Sequence, residues 1–343
     1  MQTITESTST ITISPDKKLS RKVPIFYNPV MKTNRDLSIA VLNAFDKNQL
    51  QICDLFAASG IRSIRFLKEL KPNKIKNITI NDYSNEAVKI IKQNLKDNNL
   101  ENDKRVIITE KEADQLLHES NGFDYIDIDP FGTPVPFLDM ACKRLARDSI
   151  LAVTATDTSA LAGSSPNACI RKYDAVPLRC PIMHEIGLRI LIRKCQVIAA
   201  QYDKALTPIF SYFKDHYMRI FFHCEKGRTR VDKILKQQGT IQYKGQTAGP
   251  LWKGKLWNTS FVKKMKSEPF LDIIKNEMTI DQLGFYDIHA ICRELKIQVP
   301  QYEKLFNAIK NSGYKVARTH FSLEGIRSTI NEEELKKIIK DLV

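Results

Sequence analysis

The sequence contains no C-x-x-C pair, no internal repeat and no low-complexity tract. It also has no window approaching the roughly 18 consecutive apolar residues that a membrane-crossing helix needs. Its cysteines (Cys53, Cys142, Cys169, Cys180, Cys195, Cys224, Cys292) are scattered and odd in number. That usage excludes a disulfide framework and a zinc knuckle, and it fits reduced thiols in a cytoplasm. The opening stretch MQTITESTSTITISPDKK has neither the basic start nor the apolar core of a signal peptide. His184-Glu185 lacks the second histidine of H-E-x-x-H, so a zinc protease is excluded. A cytoplasmic protein without membrane attachment is expected.

Acidic residues are in short supply. Thirty-nine Asp and Glu face 53 Lys and Arg, a net charge of +14. Summed positive potential of this size points to a polyanion, nucleic acid first and an anionic membrane second. The excess is uneven: Lys226 to Lys266 holds 11 Lys and Arg and the single acid Asp232. At 343 residues the chain exceeds the roughly 250 to 300 at which one core stops growing, so two domains are expected.

From Gln51 onward, short β-branched runs alternate with helix-period segments, the signature of βαβ units on a parallel sheet. The strands are QICDLFA, NITIND, RVIITE, YIDIDP and SILAVTATD. A long helix is expected from Pro181 to Tyr202, then two aromatic, β-branched runs, ALTPIFSYF and HYMRIFFHCEK, close enough for a hairpin. Five parallel strands, a helix and an antiparallel pair are the order of a class I methyltransferase sheet. After Gly227 the texture turns to Gly, Lys and Trp loops (YKGQTAGPLWKGKLWN) and then to mixed helix and strand, which places a second domain there.

Glycine is missing where a dinucleotide site would need it. ICDLFAASGIRSIRFL has the strand, small-residue turn and helix that bring backbone N–H groups close to a ligand, but only Gly60 where G-x-G-x-x-G has three. A pyrophosphate cradle is disfavoured. Asp82 ends the next strand in ITINDYS, where a carboxylate accepts both hydroxyls of a ribose. An adenosine without a phosphate is what this arrangement suits, and S-adenosyl-L-methionine is such a molecule. Glu112, beside Ala113 after the third strand, is placed to meet an adenine amino group.

FDYIDIDPFGTP, Phe123 to Pro134, carries two carboxylates on a short apolar strand, a costly placement unless they are paired or used. Asp129 ends the fourth strand at the crevice. An exocyclic amine on a base needs an acceptor for its protons while its lone pair attacks, and Asp129 supplies one. Pro130 fixes the turn, Phe131 offers a ring to hold the base plane, and Gly132 lets the base approach the backbone. Asp127, two residues behind, is read as structural. DPFG resembles the Asp/Asn-Pro-Pro-Tyr/Phe signature of amino-methyltransferases acting on bases. Trp252 and Trp257 read equally well as core or as a base platform, and the aromatic run from Tyr212 to Phe222 reads as hairpin core.

Longer stretches carry a more specific resemblance. VPIFYNPVMKTNRDLSIAV, DLFAASGIRSIRFLKE, DIDPFGTPVPFLD, TDTSALAGSSPNACIRKYDAVPLRCPIMHEIGLRILI, FSYFKDHYMRIFF, AGPLWKGKL and FYDIHAICRELK with GYKVARTHF follow one another from about Val23 to Phe321. Together they resemble the tRNA guanine-26 N2-dimethyltransferase family in its archaeal-type, single-chain form. The resemblance implies an α/β protein with a class I Rossmann-type methyltransferase sheet and a C-terminal α+β domain. It implies S-adenosyl-L-methionine as cofactor, bound by Arg35, Arg62, Asp82, Glu112 and Ala113, although the family usually has Asp at the position of Glu112. It implies Asp129 as the catalytic residue, Phe26 and Phe131 as the rings that hold the guanine, and tRNA as partner. Some members carry paired cysteines before GPLW; this chain has none, and no metal is expected. The expected domains are 1–226 for methyl transfer, with 1–20 an extended N-terminal segment, and 227–343 for tRNA binding, in a monomer. The residues alone leave open an adenine N6-methyltransferase of DNA or RNA, and a non-catalytic RNA-binding protein that keeps the sheet as a scaffold.

Overall fold

A computed structural model of the chain describes residues 2–13 and 27–343. Its packing divides into two units. One comprises Met1–Thr156, Cys195–Ile209 and Arg219–Lys236; the other comprises Asp157–Lys194, Phe210–Met218 and Gln237–Val343. The units therefore do not part at Gly227: Asp157–Lys194 groups with the C-terminal residues, and Gly227 to Lys236 groups with the sheet.

In chain order the elements are β1 (Gln2–Glu6), β2 (Ser9–Ile13), α1 (Lys32–Ala44), β3 (Leu50–Asp54), α2 (Ile61–Glu69), β4 (Ile75–Asp82), α3 (Asn85–Asp97), β5 (Val106–Glu110), α4 (Ala113–Glu119), β6 (Phe123–Ile128), α5 (Leu138–Arg144) and β7 (Leu145–Ala155). Then come α6 (Thr158–Leu161), α7 (Pro166–Tyr173), α8 (Met183–Ala200), β8 (Lys204–Lys214), β9 (Tyr217–Lys226) and α9 (Arg228–Leu235). A seven-stranded sheet has the order β5-β4-β3-β6-β7-β9-β8. The pairs among β3 to β7 are parallel, and all six residues of β6 are buried, as in a sheet covered on both faces by helices. The two-residue link Asp215–His216 between β8 and β9 is possible only for antiparallel neighbours. The aromatic side chains Tyr212, Tyr217, Phe221 and Phe222 are fully buried, as the hairpin-core reading requires. The chain runs outward from β3 to β5 and returns on the other side through β6 and β7. The order therefore reverses between β3 and β6, and a crevice opens there at the strands' carboxyl ends.

In the N-terminal segment, residues 2–13 form a hairpin, β1 paired antiparallel with β2. Two asparagines of α3 satisfy the backbone of β2: Asn98 Oδ1 accepts from Thr10 N at 3.1 Å and Asn94 Oδ1 from Thr12 N at 2.7 Å. Asn98 also donates to Thr10 O at 2.6 Å. An edge strand whose groups are bonded this way is closed to further pairing.

The second unit continues with β10 (Gln238–Tyr243), β11 (Gln246–Trp252), α10 (Thr259–Lys264), α11 (Pro269–Glu277), β12 (Tyr286–Asp287), α12 (Ile288–Leu295), α13 (Tyr302–Asn311), β13 (Val316–Arg318), β14 (Gly325–Ser328) and α14 (Glu332–Asp341). The segment expected to be loops is a hairpin, β10 against β11. Its turn is Lys244-Gly245, both at positive φ (46° and 80°), the backbone that matches the twist of a two-residue hairpin. Trp252 and Trp257 are both buried and donate to Lys255 O at 2.9 Å and Ser211 O at 2.8 Å, so they are core. A three-stranded sheet, β12-β14-β13, packs with α12 to α14 on Ile288, Ile291, Leu305, Ile326, Leu335 and Ile339. This is the expected α+β texture. Among the described residues no helix is long and apolar enough to cross a membrane.

Candidate active site

Every strand end that borders the crevice carries a fixed polar group. At the floor, Asn81 ties three strand ends together. Its amide donates to Leu55 O at 3.2 Å and Lys111 O at 2.9 Å, and its Oδ1 accepts from Thr109 Oγ1 at 2.8 Å. Above it the turn after β3 tightens at Ala58 (φ 49°) and Gly60 (φ 77°), a left-handed backbone that favours glycine at the start of α2. Asp82 Oδ2 accepts from Ala58 N at 2.9 Å, and its Oδ1 accepts from Ser84 N at 3.0 Å. Burial raises its pKa, opposed by the backbone donors Ser84, Ala58 and Tyr83. A carboxylate offers about four acceptor sites, so beside these donors Asp82 keeps capacity for a ribose hydroxyl. Glu112 caps the start of α4 without bonding its own helix and is exposed, whereas Ala113 is buried. Asp82, Glu112 and Ala113 thus stand at the ends of neighbouring strands.

The end of β6 differs in being charged on both signs. Arg62, on the first turn of α2 and buried, donates to a carboxylate oxygen of Asp129, to Asn34 Oδ1 at 2.8 Å and to Ser38 Oγ at 3.1 Å. Its Nη1 also lies 3.4 Å from Asp127. Asp127 is held from the other side by Arg219 on β9, at 2.9 Å to Oδ1 and 2.7 Å to Oδ2, and by Tyr125 Oη at 2.6 Å. Arg219 is fully buried and reaches Thr154 Oγ1 at 2.8 Å and Ser38 Oγ at 3.1 Å. Burial alone would raise Asp127, but Arg219 and Arg62 outweigh it and its pKa lies below the usual carboxylate range. Burial would likewise lower Arg62, yet Asp127 and Asp129 raise it. Of Arg62, Arg219, Asp127 and Asp129, only Asp129 reaches the crevice, its side chain 17% exposed.

The turn beyond Asp129 is clamped. Gly132 N donates to Thr156 Oγ1 at 2.7 Å, and Thr156 N donates to Gly132 O at 3.0 Å. Gly132 has φ 84°, and Phe131 is left 43% exposed. Phe26 lies outside the described residues. Arg35 is placed away from the Asp129 cluster. Its Nε donates to Glu6 Oε1 at 2.7 Å, its Nη2 also bonds Glu6 and donates to Asn28 O at 3.2 Å, and all of this is buried. Glu6 further accepts from Arg65 at 2.8 Å and from Tyr27 Oη at 2.8 Å. Of the two expected arginines, one therefore holds the N-terminal hairpin and the other holds Asp129.

Sequence reasoning missed Arg219, Asn34, Ser38 and Glu6. Nothing local marks them, since Arg219 stands 92 residues from Asp127 and Glu6 29 residues from Arg35.

The chain matches a family model described as N2,N2-dimethylguanosine tRNA methyltransferase over residues 4–246 and 241–340. It is 37% identical over 368 residues to a tRNA (guanine(26)-N(2)/guanine(27)-N(2))-dimethyltransferase of Aquifex aeolicus, covering 95% of this chain and 92% of that protein. It is 36% identical over 371 residues to a tRNA (guanine(26)-N(2))-dimethyltransferase of Methanosphaera stadtmanae, covering 96% and 94%. Among solved structures it is similar to Trm1 from Pyrococcus horikoshii in complex with S-adenosyl-L-methionine, with a TM-score of 0.88 and 32% identity over 99% of this chain and all of that one.

Proposed function

Because the chain belongs to the N2,N2-dimethylguanosine tRNA methyltransferase family, we propose that it transfers methyl groups from S-adenosyl-L-methionine to N2 of guanine 26 in tRNA, giving N2,N2-dimethylguanine in two successive steps. The observation that carries the chemistry is Asp129: a carboxylate at the switch point, aimed into the crevice, backed by Arg62 and followed by an exposed ring.

The donor set fits the cofactor. Asp82 and Glu112 accept from hydroxyl and amino groups and would repel a pyrophosphate, and the turn before α2 offers backbone close to the ligand without the glycines that a phosphate pair requires. Asp82, Glu112 and Ala113 would hold the adenosine part. Arg35 and Arg62 are the residues proposed for the remainder, and each already bonds a carboxylate of the protein. S-adenosyl-L-methionine supplies, when bound, an electrophilic methyl carbon on a sulfonium.

The remaining work falls to the chain's own side chains. Guanine N2 has its lone pair delocalised into the ring. A carboxylate that accepts its N–H both aims the amine and removes the proton that each methylation releases. Asp129 is that acceptor, Arg62 holds it in place, and Phe131 stacks on the base with Phe26 as the second ring. The exposed lysines between Lys226 and Lys266 meet tRNA phosphates. The cysteines form no disulfide among the described residues, which favours a cytoplasmic enzyme, and we read it as a monomer.

Asp129→Asn keeps the shape, weakens the acceptor and turns N–H donors toward an amine. Turnover on unmodified tRNA should fall by roughly 100-fold or more while tRNA binding changes little. Nucleoside analysis of the product reads both methylation states, and near-normal dimethylation by the variant would remove Asp129 from the mechanism.

A further inference from the structure

Arg62 has two carboxylates within reach, Asp127 and Asp129, but it can serve Asp129 only if Asp127 is already neutralised. Asp127 is the better buried of the two, fully enclosed against the 17% exposure of Asp129. A buried carboxylate without a partner draws the nearest cation strongly. Arg219 removes that demand. Its two Nη groups take both oxygens of Asp127, at 2.9 and 2.7 Å. Tyr125 adds a third bond to Asp127, and Thr154 and Ser38 hold the guanidinium of Arg219. With Asp127 satisfied, Arg62 lies 3.4 Å from it and makes its closer bond to Asp129.

We propose that Arg219 and Asp127 are a positioning pair that reserves Arg62 for Asp129, and thereby keeps Asp129 aimed where the guanine amine arrives. This inference rests on the reading of Asp129 as the proton acceptor. Neither Arg219 nor Asp127 reaches the crevice, so neither touches substrate; their effect on the rate runs through Arg62.

A purely structural pair and a positioning pair differ in what a second mutation does. Arg219→Gln leaves Asp127 charged and unpaired, and Arg62 moves to it. Then kcat should fall by about tenfold or more as Asp129 loses the donor that aims it. KM for tRNA and for S-adenosyl-L-methionine should stay within about twofold. Adding Asp127→Asn to the same chain removes the competitor, and Arg62 returns to Asp129. The double variant should recover kcat to within about threefold of wild type, an outcome that non-additivity between contacting residues allows. If Arg219→Gln fails to fold, Arg219→Lys reads the same quantity, because one ammonium serves Asp127 less completely than a fork does. Its kcat should fall in the same direction by less.

A double variant no better than Arg219→Gln, or an unchanged kcat in every Arg219 variant, overturns the proposal. Asp129→Asn assayed alongside separates the two readings. Full activity in that variant removes the acceptor itself, whereas loss there combined with no effect of Arg219 removes only the positioning role.

Discussion

Asp54 ends β3 with 2% exposure and accepts a single side-chain bond, from Ser63 Oγ at 2.7 Å. Burial pushes its carboxyl up to about 6, with Arg62 opposing and Asp127 adding to the rise. The bond to Ser63 fixes the first turn of α2, the turn that carries Arg62, so the site keeps an acid whose ionisation works against the fold. A folded-state value above the unfolded one means the associated stability is full below about 4 and is lost as pH rises through about 6. At neutral pH the cost is about 3 kcal/mol. Asp54→Asn retains an acceptor for Ser63 and removes the titration. Denaturant midpoints of the two proteins should therefore converge near pH 4 and separate above about 6 in favour of the variant. A constant offset across that range would show that Asp54 does not titrate there.

At the scale of elements, the strands were readable because each is a short β-branched run between helix-period segments, and burial on both faces makes such runs continuous. The ends of strands β3, β4 and β6 were readable for the same reason: Gly60, Asp82 and Asp129 follow their strands at fixed offsets. Lys244-Gly245 was a harder turn to see than Asn-Gly, and so β10 and β11 passed for loops. The N-terminal hairpin alternates weakly, and its partners Asn94 and Asn98 lie 82 and 88 residues away. Ion pairs at long separation leave no local trace at all, and the second unit has the largest example. Glu277 on α11 accepts from Arg327 Nε at 2.8 Å, Thr319 Oγ1 at 2.5 Å and His320 N at 3.0 Å. Arg327 also bonds Glu185 on α8 at 2.8 Å, and Glu185 bonds Arg189 at 2.9 Å. His320 Nε2 lies 3.3 Å from Phe213 N, and its Nδ1 lies 2.6 Å from Glu277.

Burial would raise Glu277, but His320 and Arg327 lower it more, to about 2. The stability it confers is present above its unfolded value near 4.5 and is lost as pH falls through about 2. About 3 kcal/mol is at stake. Glu277→Gln leaves Arg327 short of a charge at any pH, so amides of β13 and β14 should exchange faster at neutral pH and show little further acceleration on acidification. Wild-type amides there should hold until about pH 4 and then loosen. Equal acid sensitivity in both proteins would place the titrating group elsewhere.

For the whole molecule, the +14 charge admits two accounts: direct contact with phosphates, or a solvating surface that attracts RNA only at long range. The basic segment offers a way to choose. On and after α10, Val262 and Met265 are buried while Lys263, Lys264 and Lys266 are exposed, so the apolar residues anchor the helix and the lysines face outward. If these lysines contact phosphate, each contact releases condensed counterions, and reversing all three to Glu should flatten the slope of log affinity against log salt by about one unit per lost contact. Cofactor affinity should not change, because Asp82 and Glu112 belong to the other unit. If the lysines only solvate the surface, the same change of six charges leaves that slope as it was. A titration of unmodified tRNA against wild type and the triple variant at several salt concentrations separates the two. Lines of different slope support contact. Parallel lines with a small common offset would reduce the basic segment to a solvating surface and leave the tRNA contacts to be sought on other residues.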